Sequence, residues 1–109
     1  MIRHLEQALD ALSRREKVVA NNLANVDTPG YTRSDVDFFS YMKQVLAGNE
    51  PTLTVAPDQT TAARLDGNNV NLEQEIFALT QTDTMYGAVS RLASDDVRML
   101  TYAATDGRG

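Results

Sequence analysis

The sequence predicts a mainly α-helical chain. Two long terminal helices form an antiparallel, coiled-coil-like pair, with a short middle helix and an extended loop or small β-hairpin between them. Three observations predict it. Apolar residues recur at alternating steps of three and four from Ile2 to Val26 and again from Leu72 towards the C-terminal end, the period of a helix face packed on another helix. A Pro-Gly pair closes the first pattern. Two of the three prolines, with many Thr and Asp residues, fall between Glu50 and Asn69, where neither helix period continues. At 109 residues the chain is one small domain. It divides into an N-terminal helix and elbow (1–33), a short helix and linker (34–69), a C-terminal helix (70–105) and a tail (106–109).

The first helix carries Ile2, Leu5, Leu9, Leu12, Val19, Leu23 and Val26 on one stripe, with Glu16 at the one seam position that should be apolar. At about 1.5 Å per residue it is roughly 37 Å long. Ala20 to Tyr31 then ends it abruptly. Pro29 has no N–H to continue the ladder and biases Thr28 towards an extended conformation. Gly30 supplies the positive φ of a type II turn, so Thr28-Pro29-Gly30-Tyr31 reads as one tight reversal. Asn21, Asn22 and Asn25 crowd amides beside that elbow although Asn is a poor interior helix former. A buried amide must be satisfied, so these amides are expected to hydrogen-bond a neighbouring subunit or the returning chain.

Ser34 and Asp37 have capping-box spacing, which predicts a helix from Asp35 to about Ala47 with Gly48 as its stop. Phe38, Phe39 and Tyr41 are expected to pack it on the terminal helices. Thr52 to Val55 alternates at period two and Pro57-Asp58 is a turn signal, compatible with a hairpin or an extended loop. Asp66-Gly67-Asn68-Asn69 is a further turn. Asn71 is an N-cap for the last helix, and Glu73 and Glu75 suit its positive end. The main stripe there is Leu72, Ile76, Leu79, Tyr86, Ala93, Val97, Leu100 and Ala104. Ala78, Met85, Val89, Leu92 and Met99 run beside it, making a face wider than one partner helix needs.

The chemistry points away from catalysis. The net charge of −5 argues against nucleic acid, and no small-molecule substrate site is legible. No apolar run approaches membrane-spanning length, and the charged N-terminus has no signal-peptide core. The single His is His4, with no nucleophile or metal partner at useful spacing. Cys is absent. Catalytic, cofactor and metal sites are therefore expected to be none. Two helices and a short linker leave much apolar surface uncovered, which marks association. If that association joins unlike faces without closing, the product is a helical tube.

Two strings carry a resemblance. NNLANVDTPGY (Asn21 to Tyr31) resembles the N-terminal signature of the bacterial flagellar axial proteins, the rod and hook family. Asp66 to Ile76, DGNNVNLEQEI, followed by Tyr86-Gly87-Ala88-Val89 and Arg98-Met99-Leu100, is similar to the proximal rod type within it. The resemblance implies a non-enzymatic subunit that polymerises through its terminal helices into a tube joining the membrane ring to the distal rod. It implies a place in the basal body, on the periplasmic side of the inner membrane. Its partners would be copies of itself, other rod proteins, the rod-base adaptor, the membrane-ring protein and the flagellar type III export apparatus, reached without a cleaved signal peptide. Asn21, Asn22, Leu23, Asn25, Thr28, Pro29, Gly30 and Tyr31 form the family elbow. Leu5, Leu9, Leu12, Val19, Leu23, Leu72, Ile76, Leu79, Tyr86, Val89, Leu92, Val97 and Leu100 are the expected assembly interface. The rival class is a soluble helical adaptor or export chaperone, a discrete bundle that never polymerises.

Overall fold

A computed structural model describes residues 2–106; most of the expected tail lies outside them. Helix α1 (Ile2–Ala24) leads through the elbow to strand β1 (Ser34–Val36), helix α2 (Phe38–Leu46), strand β2 (Val55–Pro57) and helix α3 (Leu72–Asp106). The radius of gyration is 18.1 Å, against roughly 13 Å for a compact chain of this length. The extents are 69 × 26 × 14 Å, and the short dimension is scarcely more than one helix thick. A single layer of helices has no second layer to cover its faces.

α1 and α3 pack together and run antiparallel, since Asn22 meets Glu75 while Arg15 meets Gln81. In this register Ile2 and Glu6 share a concavity with Ala93 and Val97. The remainder of α3 continues past the start of α1. The expected α1 seam is close but rotated at its middle. Leu12 and Val19 are fully buried and Ala8 and Ala11 nearly so, while Glu16 is exposed. Arg15 takes the inner position instead, its Nε donating to Asp35 Oδ1 (3.3 Å) and its Nη1 to Gln81 Oε1 (3.1 Å).

The α3 seam is not the main apolar stripe. Glu75, Ala78 and Thr82 are buried, with Leu79, Met85, Val89 and Ala93 half-buried. Ala78 keeps the helices close, and Thr82 Oγ1 satisfies itself on the Ala78 carbonyl at 2.7 Å. Leu72, Ile76, Tyr86, Leu92, Val97 and Leu100 are left exposed. Apolar periodicity identified a real stripe, and its exposed residues are among those expected at the assembly interface.

The middle segment needs three corrections. Ser34 is the first residue of β1 and caps nothing. Asp37 is the N-cap of α2, its carboxylate accepting from Ser40 N (3.1 Å) and Ser40 Oγ (2.8 Å), and these bonds hold its pKa below the ordinary carboxylate value. Tyr41 and Val45 pack on Ala11, with Phe38, Met42 and Leu53 around them. Phe39, in contrast, is 85% exposed and packs on nothing. Gly48, at φ 78°, terminates α2 as expected, with Asn49 N returning to Gln44 O. Of the period-two run only Val55 is strand: β2 continues through Pro57, the expected turn residue, and pairs antiparallel with β1 (Val36 opposite Val55) rather than forming a hairpin inside the linker.

Candidate functional site

The elbow closes as the sequence predicts. Tyr31 N donates to Thr28 O (3.2 Å) and Gly30 adopts φ 73°. Asn25 Nδ2 reaches back to Asn21 O (2.9 Å), and Thr28 Oγ1 donates to Asn25 Oδ1 (3.1 Å). Asn21 Nδ2 donates to the Tyr31 hydroxyl (3.0 Å), which donates in turn to Asn22 Oδ1 (3.2 Å). Pro29 and Leu23 make the bend and part of its cover, Leu23 being half-buried and Pro29 exposed.

Asn22 alone of the three amides is fully buried. Its Oδ1 accepts from Ser34 N (3.0 Å), and its Nδ2 donates to Ser34 O (2.8 Å) and Glu75 Oε2 (3.2 Å). A side-chain amide thereby stands where a neighbouring strand would pair with β1. Asn21 and Asn22 bind the returning chain, while Asn25 binds α1 and the elbow itself.

The far partner of the elbow is the second sequence block. Asn68 Nδ2 donates to the carbonyls of Asn25 (2.8 Å), Val26 (3.1 Å) and Thr28 (2.7 Å), groups that the end of α1 leaves without helical partners. Asn68 Oδ1 accepts from Val70 N at 2.7 Å. Asn69 Oδ1 accepts from Arg33 N (2.7 Å), while its Nδ2 donates to Asp58 O (2.7 Å). The Arg64 guanidinium donates to the carbonyls of Val26 and Val70. Gly30 N donates to Asp66 O at 2.8 Å. A Cβ on Gly67, which sits at φ 84°, would stand 3.3 Å from Gly30 Cα. Gly67 thus lets the two turns stack closely, whereas a Cβ on Gly30 would meet nothing within 4 Å.

At the centre is Arg33, 1% exposed. It forms ion pairs with Glu75, which is 0% exposed, and with Asp58, and its Nη2 lies 3.5 Å from Asp35 Oδ2. Burial alone would lower the Arg33 pKa, but the Glu75 hydrogen bond and the charges of Glu75, Asp35 and Asp58 together raise it. Asp58 is held below the ordinary carboxylate value, chiefly by its bonds from Thr60 and then by Arg33. No buried side-chain nitrogen or oxygen among the described residues lacks a partner. We call this assembly the clasp.

The sequence reading missed Arg33, Asn68, Asn69 and Glu75. Glu75 was assigned to the helix dipole, and its position on the seam, three residues before Ala78, was the signal that could have found it. Among the described residues no three His, Cys, Asp or Glu side chains are arranged to hold a metal, and no helix is long and apolar enough to cross a membrane.

Of the expected interface residues, Leu12 and Val19 lie inside the chain's own core. Leu5, Leu9, Leu23, Leu79 and Val89 are half-buried, and Leu72, Ile76, Tyr86, Leu92, Val97 and Leu100 are exposed.

A slender helical subunit with a polar clasp and an uncovered apolar stripe is built for assembly, and comparison with known proteins agrees. The model of the flagella basal body rod protein family matches residues 2–32, which hold α1 and the elbow. The flagellar basal body rod protein FlgB of Escherichia coli is 33% identical over 111 aligned positions, covering 78% of this chain and 78% of that protein. FlgB of Borrelia hermsii is 31% identical over 77% of this chain and 80% of that protein. FlgB of Bacillus subtilis, at 25% identity, spans 98% of this chain and 95% of that protein. The chain belongs to the FlgB family of flagellar basal body rod proteins.

Proposed function

We propose that the chain is a structural subunit of the proximal rod of the bacterial flagellar basal body. It polymerises through its terminal helices into a tube that joins the membrane ring to the distal rod and transmits torque. Its work is mechanical, with no catalytic step. The observation that carries this reading is the exposed stripe Leu72, Ile76, Tyr86, Val97 and Leu100 along one helix of a subunit 14 Å thick. Uncovered apolar surface of that length drives association, and a rod-shaped subunit with two unlike faces suits a non-closing, helical contact. Family membership names the other rod proteins as neighbours.

The same reading adds the rod-base adaptor, the membrane-ring protein and the type III export apparatus as partners. It sets the subunit on the periplasmic side of the inner membrane, reached without a cleaved signal. A discrete adaptor or chaperone would cover such a stripe within its own bundle. The test is sedimentation with circular dichroism on the purified chain, alone and with other rod subunits. The wild type is expected to gain helicity as it co-assembles. A Val97→Asp, Leu100→Asp variant should keep the monomer's spectrum and stay out of the assembly. Co-assembly of that variant at the wild-type level contradicts the proposal.

A further inference from the structure

The Asp66-Gly67 step lies at the contact between the two halves of the clasp, and its chemistry and its geometry pull in opposite directions. Among aspartates, one followed by glycine is the most prone to spontaneous imide formation, because no Cβ shields the following amide nitrogen. Here that nitrogen is tied down. Gly67 N donates to Arg64 O at 2.9 Å, Asp66 Oδ1 accepts from Asn68 N at 3.0 Å, and Arg64 Nε stands 3.9 Å from the same oxygen. The Asp66 carbonyl is bound by Gly30 N at 2.8 Å. The Asp66 side chain is nevertheless 40% exposed, so water reaches it. Conformation, not burial, is what guards the step.

We propose that Asp66-Gly67 is a backbone modification site, forming isoaspartate, that the closed clasp keeps latent and an open clasp releases. The Gly67 nitrogen attacks Asp66 Cγ. The N–Cγ bond closes a five-membered succinimide as the bond from Cγ to one carboxyl oxygen breaks, and that oxygen leaves as water with the amide proton and the proton of the carboxylic acid. A water molecule then adds to the ring. Attack at Cγ restores aspartate. Attack at the main-chain carbonyl carbon breaks its bond to Gly67 N and leaves the chain routed through Cβ and Cγ. The water lost is regained, the mass is unchanged, and no oxidant or reductant takes part.

The product cannot fit the clasp. One extra main-chain carbon displaces Gly67 from a contact with Gly30 that would put even a Cβ at 3.3 Å. It turns the acceptor of Gly30 N into a side-chain carboxylate, and it shifts Asn68 off the three carbonyls that it binds. A chain left open therefore ages into one that cannot close, whereas a closed chain keeps its competence.

The test ages the full-length wild type near neutral pH at physiological temperature, with and without urea. Isoaspartate at residue 66 is mapped by peptide fragmentation and resolved from the second Asp-Gly pair of the sequence, Asp106-Gly107. Conversion in buffer is expected to be at least about tenfold slower than in urea, because only the opened population reacts. Asn68→Ala in buffer should approach the urea rate, and Asp66→Glu should give no conversion there, since the larger imide forms far more slowly. The modified chain, separated from the native one, should show faster hydrogen exchange at the Gly30 and Val70 amides. Equal rates in buffer and urea, no conversion in urea, or a modified chain with native protection at those amides would each overturn the proposal.

Discussion

At its N-terminal end α3 enters a region where every buried polar side chain has a partner, and where Arg33 is bracketed by Glu75, Asp58 and Asp35. At its other end Met99, Leu100 and Tyr102 are more than three-fifths exposed among the described residues. One helix thus carries a finished contact and an unfinished one. The difference separates two jobs. The polar end sets how the chain folds on itself, since satisfied buried polar groups punish any other arrangement. The apolar end contributes little to the lone subunit and gains its free energy only when another surface covers it.

The largest break in that contrast comes at the ion pair. Glu75→Ala leaves Arg33 buried with its best partner gone and should cost about 3–5 kcal/mol in urea denaturation. Replacing Arg33 and Glu75 together by Leu should cost clearly less, because Asp35 and Asp58 can turn to water. Asn68→Ala strands the buried Val70 N–H and takes one donor from each of three carbonyls at the end of α1, and should cost about 1–3 kcal/mol by the same assay. A Cβ at Gly30 meets no atom within 4 Å, so the positive φ dominates the cost of Gly30→Val, roughly 1–2 kcal/mol, read as a loss of thermal stability. By moving the elbow it should also block incorporation into the rod.

Acid gives a smaller effect of defined sign. Asp58 has a folded pKa below its ordinary value of 3.8. Its stabilisation is fully present above that value and is lost as pH falls through the lower, folded one. Tm should therefore drop less steeply on acidification in Asp58→Asn than in the wild type, with the difference confined to pH below about 5. Smallest of all, Met99→Ala or Tyr102→Ala should shift monomer stability by under about 0.5 kcal/mol while weakening co-sedimentation with other rod subunits.

The elements of this fold were legible because they follow local rules. The stripe of α1, the Pro29-Gly30 reversal, the Gly48 stop and the Asn71 cap, whose Oδ1 accepts from Gln74 N at 3.1 Å, each depend on neighbours in sequence. The clasp was half legible. Crowded amides at Asn21, Asn22 and Asn25 announced a polar contact, but Asn68 binds carbonyls some forty residues away, and no local pattern reports such a partner. Glu75 was hidden by a sufficient local explanation, the helix dipole. The α3 seam was not singled out because period analysis weighs hydrophobicity, and this seam includes a small residue, a self-satisfied Thr and a paired Glu. Where packing depends on size and charge pairing, the apolar stripe points elsewhere.

Hydrogen exchange on the isolated chain, resolved by residue, tests the division of labour most directly. The account predicts slow exchange at Gly30, Ser34 and Val70, whose amides donate within the clasp, and fast exchange from Val97 to Asp106, slowing only on co-assembly with other rod subunits. Equal protection at both ends of α3 in the lone chain would contradict it.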